Sequence, residues 1–188
     1  MSFPGIPSLD AAVMAFIQTH FHNTVTDTVF PIITSLGEAG IGWIVLSLVL
    51  LCFKRTRRTG GLVLIAMTVT LLFGELTLKN IICRLRPCNV FTDFPMLIAR
   101  PASYSFPSGH TSSSFAAALI LTLRHKKVGW LAYIPAVLIA FSRIFLFVHY
   151  PTDVLAGILL GTLAALLTYF AAKVIQKRQA EKRTAQKA

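Results

Sequence analysis

Long apolar blocks separated by short polar ones run through this chain, and their lengths predict an all-α, polytopic membrane helical bundle. In the stretch opened by Ser8-Leu9-Asp10, the apolar residues Leu9, Val13, Phe16 and Ile17 share one helical face, and a second helix-like segment covers residues 26–36. Both are short and broken by Asp, His or Pro. They predict two interfacial helices within residues 1–37, with one bent spanning helix, and so six spans in all, as the alternative. Five stronger apolar blocks follow, at 40–53, 61–82, 108–124, 128–148 and 152–174. Each approaches the length that a hydrocarbon core of about 30 Å requires, allowing for tilt and polar ends. The chain thus divides into an N-terminal segment (1–37), a transmembrane core (38–175) with a Pro- and Arg-rich loop at 83–107, and a polar, helix-prone tail (176–188).

Composition agrees. Of 188 residues, 55% are apolar and 13% charged, and the mean hydropathy of +0.69 is too high for an ordinary soluble domain. The formal charge of +11 is unevenly placed: residues 1–53 hold no Lys or Arg, and most basic residues fall in Lys54–Arg58, Arg124–Lys127 and the tail from Lys173. This is positive-inside patterning, not the basic face with interleaved aromatics that nucleic acid would need. The first residues also lack the basic start of a signal peptide. With the Lys54 cluster in the cytoplasm, alternation puts the Arg124 loop and the C-terminus there too. Lys79, Arg86, Ser108, His110, Arg143, His149 and Asp153 then fall on the outer side. Three cysteines define no disulfide framework; Cys52 fits packing, and Cys83 and Cys88 are placed to pair only if they face an oxidising side.

Three segments on that outer side carry candidate chemistry. Lys79 and Arg86 are seven residues apart, two turns along one side of a helix, and two cations in line can hold a phosphate; snorkelling to headgroups is the plain alternative. Pro107-Ser108-Gly109-His110 begins a helix whose first N–H groups and dipole suit an anion, with His110 in reach to donate a proton; taken alone it is an ordinary helix start. Ser142 to Asp153 ends an apolar run with Arg143, His149 and Asp153. His149 has Asp153 four residues on, so a carboxylate can hold one ring nitrogen while the other reacts, although an Arg–Asp tie between helices would use the same residues. Glu75, four residues before Lys79, fits a structural ion pair with it. Arg84, Arg100 and Asp93 read as solvated loop charges near a headgroup, and His20, His22 and His125 form no metal-ligand pattern.

Together these segments resemble the type 2 phosphatidic acid phosphatase (PAP2) superfamily, whose motifs run Lys, six residues, Arg-Pro; then Pro-Ser-Gly-His; then Ser-Arg, five residues, His, three residues, Asp. All three occur in order between Lys79 and Asp153. The resemblance implies His149 as the nucleophile that forms a phosphohistidine, Asp153 as its orienting partner, and His110 as the group that protonates the leaving oxygen and then activates water. Lys79, Arg86, Arg143, Ser108 and the Gly109 backbone would bind the phosphoryl oxygens. Fixed cations can supply what magnesium supplies elsewhere, so no metal and no cofactor is expected. The implied substrate is a phosphorylated membrane lipid in a bacterial plasma membrane: undecaprenyl diphosphate first, then phosphatidylglycerol phosphate or phosphatidic acid, with lipid A phosphatase activity or a non-catalytic lipid-binding or transport protein as alternatives. The vanadium haloperoxidases share the constellation, but as soluble proteins they fit the apolar spans poorly.

Overall fold

The computed structural model describes residues 3–186; the extreme ends of the expected N-terminal segment and basic tail, residues 1–2 and 187–188, lie outside them. Every regular element among the described residues is a helix, without strands. Two N-terminal helices, α1 (Ser8–His20) and α2 (Thr24–Leu36), lead into α3 (Ile41–Cys52) and α4 (Arg57–Thr70). The last of these continues as a π-helical stretch (Leu71–Leu78) and one further turn, α5 (Lys79–Ile82). A single-turn α6 (Pro87–Val90) sits in the long loop expected at 83–107. The bundle is completed by α7 (Gly109–Arg124), by α8 (Tyr133–Phe145) preceded by a 3-10 turn (Gly129–Ala132), and by α9 (Pro151–Ala185).

Helix α7 is the axis of the bundle: Ala116, Ala117, Ala118 and Ile120 are wholly buried. Small residues let α9 come close to it. A Cβ on Gly157 would lie 2.7 Å from the Ser108 carbonyl, and one on Gly161 would lie 2.3 Å from that of Ser112. Trp43 of α3 ties the opposite side, its indole N–H donating to Ser114 at 2.9 Å.

Polar groups lie inside and leucines outside, the reverse of a water-soluble bundle. Asp10, Ser47, Thr59, Ser114 and Asp153 are fully buried, whereas Leu155, Leu159, Leu163 and Leu167, four apart on α9, are 54% to 67% exposed. Such a face suits hydrocarbon. Among the described residues two helical runs, Arg57–Val90 and Pro151–Ala185, are long and apolar enough to cross a bilayer, and a third candidate joins α2 to α3 across a 44° bend. That is fewer than the five expected spans. The apolar run Gly129–Phe145 is shorter than a full span, and α7, which turns Thr111, Ser112 and Ser114 into the bundle, has 16 residues.

Nor do the N-terminal helices form a separate layer. Met14 and Ile17 of α1 are buried, and the Gln18 amide donates to the carbonyls of Ile144 (3.4 Å) and Phe145 (3.0 Å), which occupies the C-terminal end of α8. Asn23 caps α2, accepting from the N–H groups of Val25 and Thr26 at 3.0 and 3.1 Å, and Thr26 completes the box. The chain then turns through Ala39 (φ 47) and Gly40 (φ 70) into α3.

Replacing Gly161 with Val is expected to wedge α9 from α7 and to destabilise the protein by roughly 1–3 kcal/mol. Leu163→Ala, on the outer face, should cost well under that. Thermal unfolding of both variants in one detergent checks the contrast.

Candidate active site

The loops and helix ends at one end of the bundle meet around a cavity of about 1030 Å³, whose lining includes Lys79, Arg86, Gly109, His110, Arg143 and His149. His149 sits in the short turn between α8 and α9. There the backbone N–H groups of Val148 and His149 both donate to the Arg143 carbonyl at 3.2 Å. Phe147 adopts a left-handed conformation (φ 60), which costs a bulky side chain roughly 1–2 kcal/mol. Burial holds it there: its ring is fully enclosed and stacks on Phe94 at 3.9 Å, with Phe3 and Phe91 around it.

Arg86 is almost fully buried and gives every nitrogen a task. Its Nε donates to the Ser103 carbonyl (2.7 Å), Nη2 to the Ser103 hydroxyl (3.0 Å), and Nη1 to the Val148 carbonyl and to His149 Nε2, both at 2.9 Å. A guanidinium cannot accept, so His149 Nε2 is the acceptor and the ring proton resides on Nδ1. The nitrogen carrying the lone pair is therefore the one at the cavity. Burial pushes the His149 pKa well below that of a free imidazole, and Arg86, Arg143 and Lys79 push the same way. The ring stays neutral near pH 7.

Asp153 pairs with His149 at the long end of a direct contact. The Nδ1 to Oδ2 separation is 3.5 Å, and the hydroxyl of Ser105 lies 3.4 Å from Nδ1 while donating to the same carboxylate oxygen. That oxygen also accepts the Tyr150 N–H at 2.9 Å, so Asp153 caps its own helix as the Pro-Thr-Asp start leads one to expect. Ser105 therefore sits beside the expected pair and contacts both of its members.

Lys79 and Arg86 do not share a helical face. The helix ends at Ile82, Cys83 turns left-handed (φ 50), and Arg86 reaches the cavity from the following loop. Lys79 is held by Glu75 at 2.7 Å, the expected ion pair. Arg143 donates to the Thr34 hydroxyl, and its Nε, like His110 Nε2, is buried with no partner among the described residues. Both residues line the cavity. A Cβ on Gly109 would fall 2.1 Å from Glu75 Oε1, so a side chain there would displace the carboxylate that holds Lys79.

Ser108 takes a supporting position. It is fully buried, its N–H donates to the Asp153 carbonyl at 3.1 Å, and its hydroxyl accepts from Thr111 at 2.9 Å. Cys83 is exposed and Cys88 buried, and both are free thiols. Arg84 is no solvated loop charge, since it pairs with Asp10 and Asp153; Arg100 staples its loop by donating to the carbonyls of Cys88, Thr92 and Phe94. Thr34, Glu38, Ser103 and Ser105 escaped the sequence reading.

A neutral imidazole facing a cavity ringed by three buried cations defines an anion site with an unprotonated ring nitrogen in its wall. The chain belongs to the PAP2 superfamily, which it matches over residues 59–177. It is 39% identical over 127 residues to the undecaprenyl-diphosphatase of Sulfolobus acidocaldarius, a match spanning 67% of this chain and 61% of that relative. Undecaprenyl-diphosphatase BcrC of Bacillus subtilis is 31% identical over 157 residues, 79% of this chain and 76% of the relative. Among solved structures, the transmembrane PAP2-type phosphatidylglycerolphosphate phosphatase from Bacillus subtilis superposes with a TM-score of 0.73 at 29% identity, covering 92% of this chain and 89% of that one.

Arg86→Lys keeps the charge but cannot bond Ser103, Val148 and His149 together. Its affinity for inorganic phosphate, measured by calorimetry, is expected to fall about tenfold, on the order of 1.4 kcal/mol.

Proposed function

We propose that this protein is a membrane lipid phosphatase that cleaves a terminal phosphate from an isoprenyl diphosphate, with undecaprenyl diphosphate as the favoured substrate. The observation that carries this reading is the neutral Nε2 of His149 opening on a cavity whose charged wall holds Lys79, Arg86 and Arg143 and whose other wall is apolar, with Ile44, Leu64, Met67 and Leu71. Phosphate and lipid chain each find a matching surface. The relatives named as undecaprenyl-diphosphatases support the same substrate class.

In the proposed reaction Lys79, Arg86, Arg143 and the N–H of Gly109 hold the phosphoryl oxygens, and Arg86 turns one N–H from His149 to the substrate. Nε2 then attacks phosphorus in line. The P–O bond to the lipid breaks as the N–P bond forms, and His110 gives its proton to the departing oxygen. Water next attacks the phosphohistidine, His110 takes its proton, and inorganic phosphate leaves with His149 restored. Asp153, with Ser105 beside it, holds the Nδ1 proton while positive charge grows on the ring.

The basic clusters support five spans with the cavity on the outer side of a bacterial plasma membrane and the C-terminus in the cytoplasm. At 1.5 Å per residue α7 spans about 24 Å, enough for a helix whose polar start reaches the interface.

Purified protein is expected to release phosphate with EDTA present, faster from undecaprenyl diphosphate than from phosphatidylglycerol phosphate or phosphatidic acid. His149→Ala should lower kcat by ~10³-fold or more. Full turnover by that variant would overturn the mechanism, and a preference for phosphatidic acid would overturn the substrate assignment.

A further inference from the structure

Behind His149, away from the cavity, lies a second charged cluster that the reaction above leaves unused. Arg84 bridges two fully buried carboxylates: Nη1 donates to Asp153 Oδ1 at 2.7 Å and Nη2 to Asp10 Oδ2 at 2.8 Å. Asp10 comes from α1, outside the stretch that matches the superfamily. It also accepts the backbone N–H of Thr152 (2.9 Å) and the Thr152 hydroxyl (2.7 Å), and that hydroxyl in turn accepts from Arg84 Nη1 at 2.7 Å. The guanidinium lies 3.7 Å over the Tyr150 ring, which fixes its plane. One cation is thus shared between two anions, and one of those anions is the partner of the nucleophile.

We propose that Arg84 and Asp10 are positioning residues that set, through Asp153, how much negative charge reaches His149, and so keep Nε2 unprotonated and nucleophilic. This rests on His149 acting as the nucleophile. The physics is a competition. Arg84 cancels part of the Asp153 charge, which would otherwise draw a proton onto the imidazole, and Asp10 takes a share of Arg84 and limits that cancellation. Every other charged or titratable group around His149 bears on the cavity side: Arg86 from the loop, Lys79 from α5, His110 from α7 and Arg143 from α8. Ser105 is uncharged. Tyr150, its phenol pushed up to about 12 chiefly by burial, adds no charge either. Arg84 and Asp10 alone act on Asp153 from behind.

The two residues must therefore shift His149 in opposite directions, which a purely structural role would not do. In Arg84→Gln the uncompensated Asp153 raises the proton affinity of His149, so the acid limb of kcat/KM moves to higher pH. In Asp10→Asn the guanidinium belongs to Asp153 alone, and the limb moves to lower pH. Arg84 is 24% exposed, so solvent screens part of the effect, and shifts on the order of half to one pH unit are expected. Arg84→Lys, which retains the cation, should restore most of the wild-type profile.

The experiment pairs pH–rate profiles of the full chain with ¹⁵N-histidine NMR titration in the same detergent, the His149 signal being assigned by its loss in His149→Gln. Opposed shifts in the two variants, seen in the His149 titration, support the assignment. Coincident profiles, or shifts of the same sign, overturn it. Should Arg84→Gln fail to fold, Asp10→Asn decides alone: an unmoved or raised His149 titration overturns the proposal. Wild-type protein that hydrolyses none of the lipids would sink the functional reading, while the NMR titration would still decide the charge relay.

Discussion

Three cations are buried within one small bundle, and most of the architecture answers to that fact. Lys79, Arg86 and Arg143 are between 3% and 5% exposed, and taking a single such charge out of water costs several kcal/mol unless partners replace its hydration. The carboxylate paired with the three is that of Glu75, on Lys79; Arg86 and Arg143 are held by hydroxyls, carbonyls and a histidine nitrogen. Neutral acceptors satisfy hydrogen bonds without cancelling charge. The site therefore keeps a net positive field in a weakly screened interior, where its pull on a phosphate is much greater than in water. Burial first, and then the same field, keep the neighbouring imidazole neutral.

Partners for those cations come from far along the chain. Thr34 and Glu38 reach the site from the corner between α2 and α3, where a Cβ on Gly37 would lie 3.0 Å from the His110 ring. Asp10, from α1, pairs with Arg84, which in turn pairs with the Asp153 beside His149. The N-terminal helices, which look peripheral by composition, thus complete a site whose motif residues all lie beyond Lys79. The aromatic cluster around Phe147 has a comparable part, since it compensates the strained turn that aims His149.

The helical class and the motif residues were legible in the sequence because an ionisable group is conspicuous in an apolar chain. Lys79, Arg143, His149 and Asp153 stand out against the residues around them. Hydroxyls do not: Ser and Thr are frequent here, and nothing local marks Ser103, Ser105 or Thr34 as a partner of a residue 17, 44 or 109 positions away. Arg84 was misread for a similar reason, because its partners are separated from it by 69 and 74 residues. Span lengths were blurred in α7 and α8, where serine, threonine and arginine point inward and shorten the apolar run without ending the helix. The spacing from Lys79 to Arg86 suggested one continuous helix, and the left-handed turn at Cys83, with no glycine to signal it, broke that register.

The π-helical stretch between Leu71 and Leu78 carries a consequence of another kind. Its wider turns, marked by the Lys79 N–H donating back to the Gly74 carbonyl, accommodate one more residue than an α-helix would over the same rise. Lys79 owes its azimuth to that surplus residue. Substitutions along the lipid-facing side of this segment leave the count intact, whereas removing one residue would relax the stretch to α and swing the ammonium about a quarter turn or more around the axis, away from the cavity. The position of Lys79 thus tolerates changes in the composition of this segment far better than changes in its length.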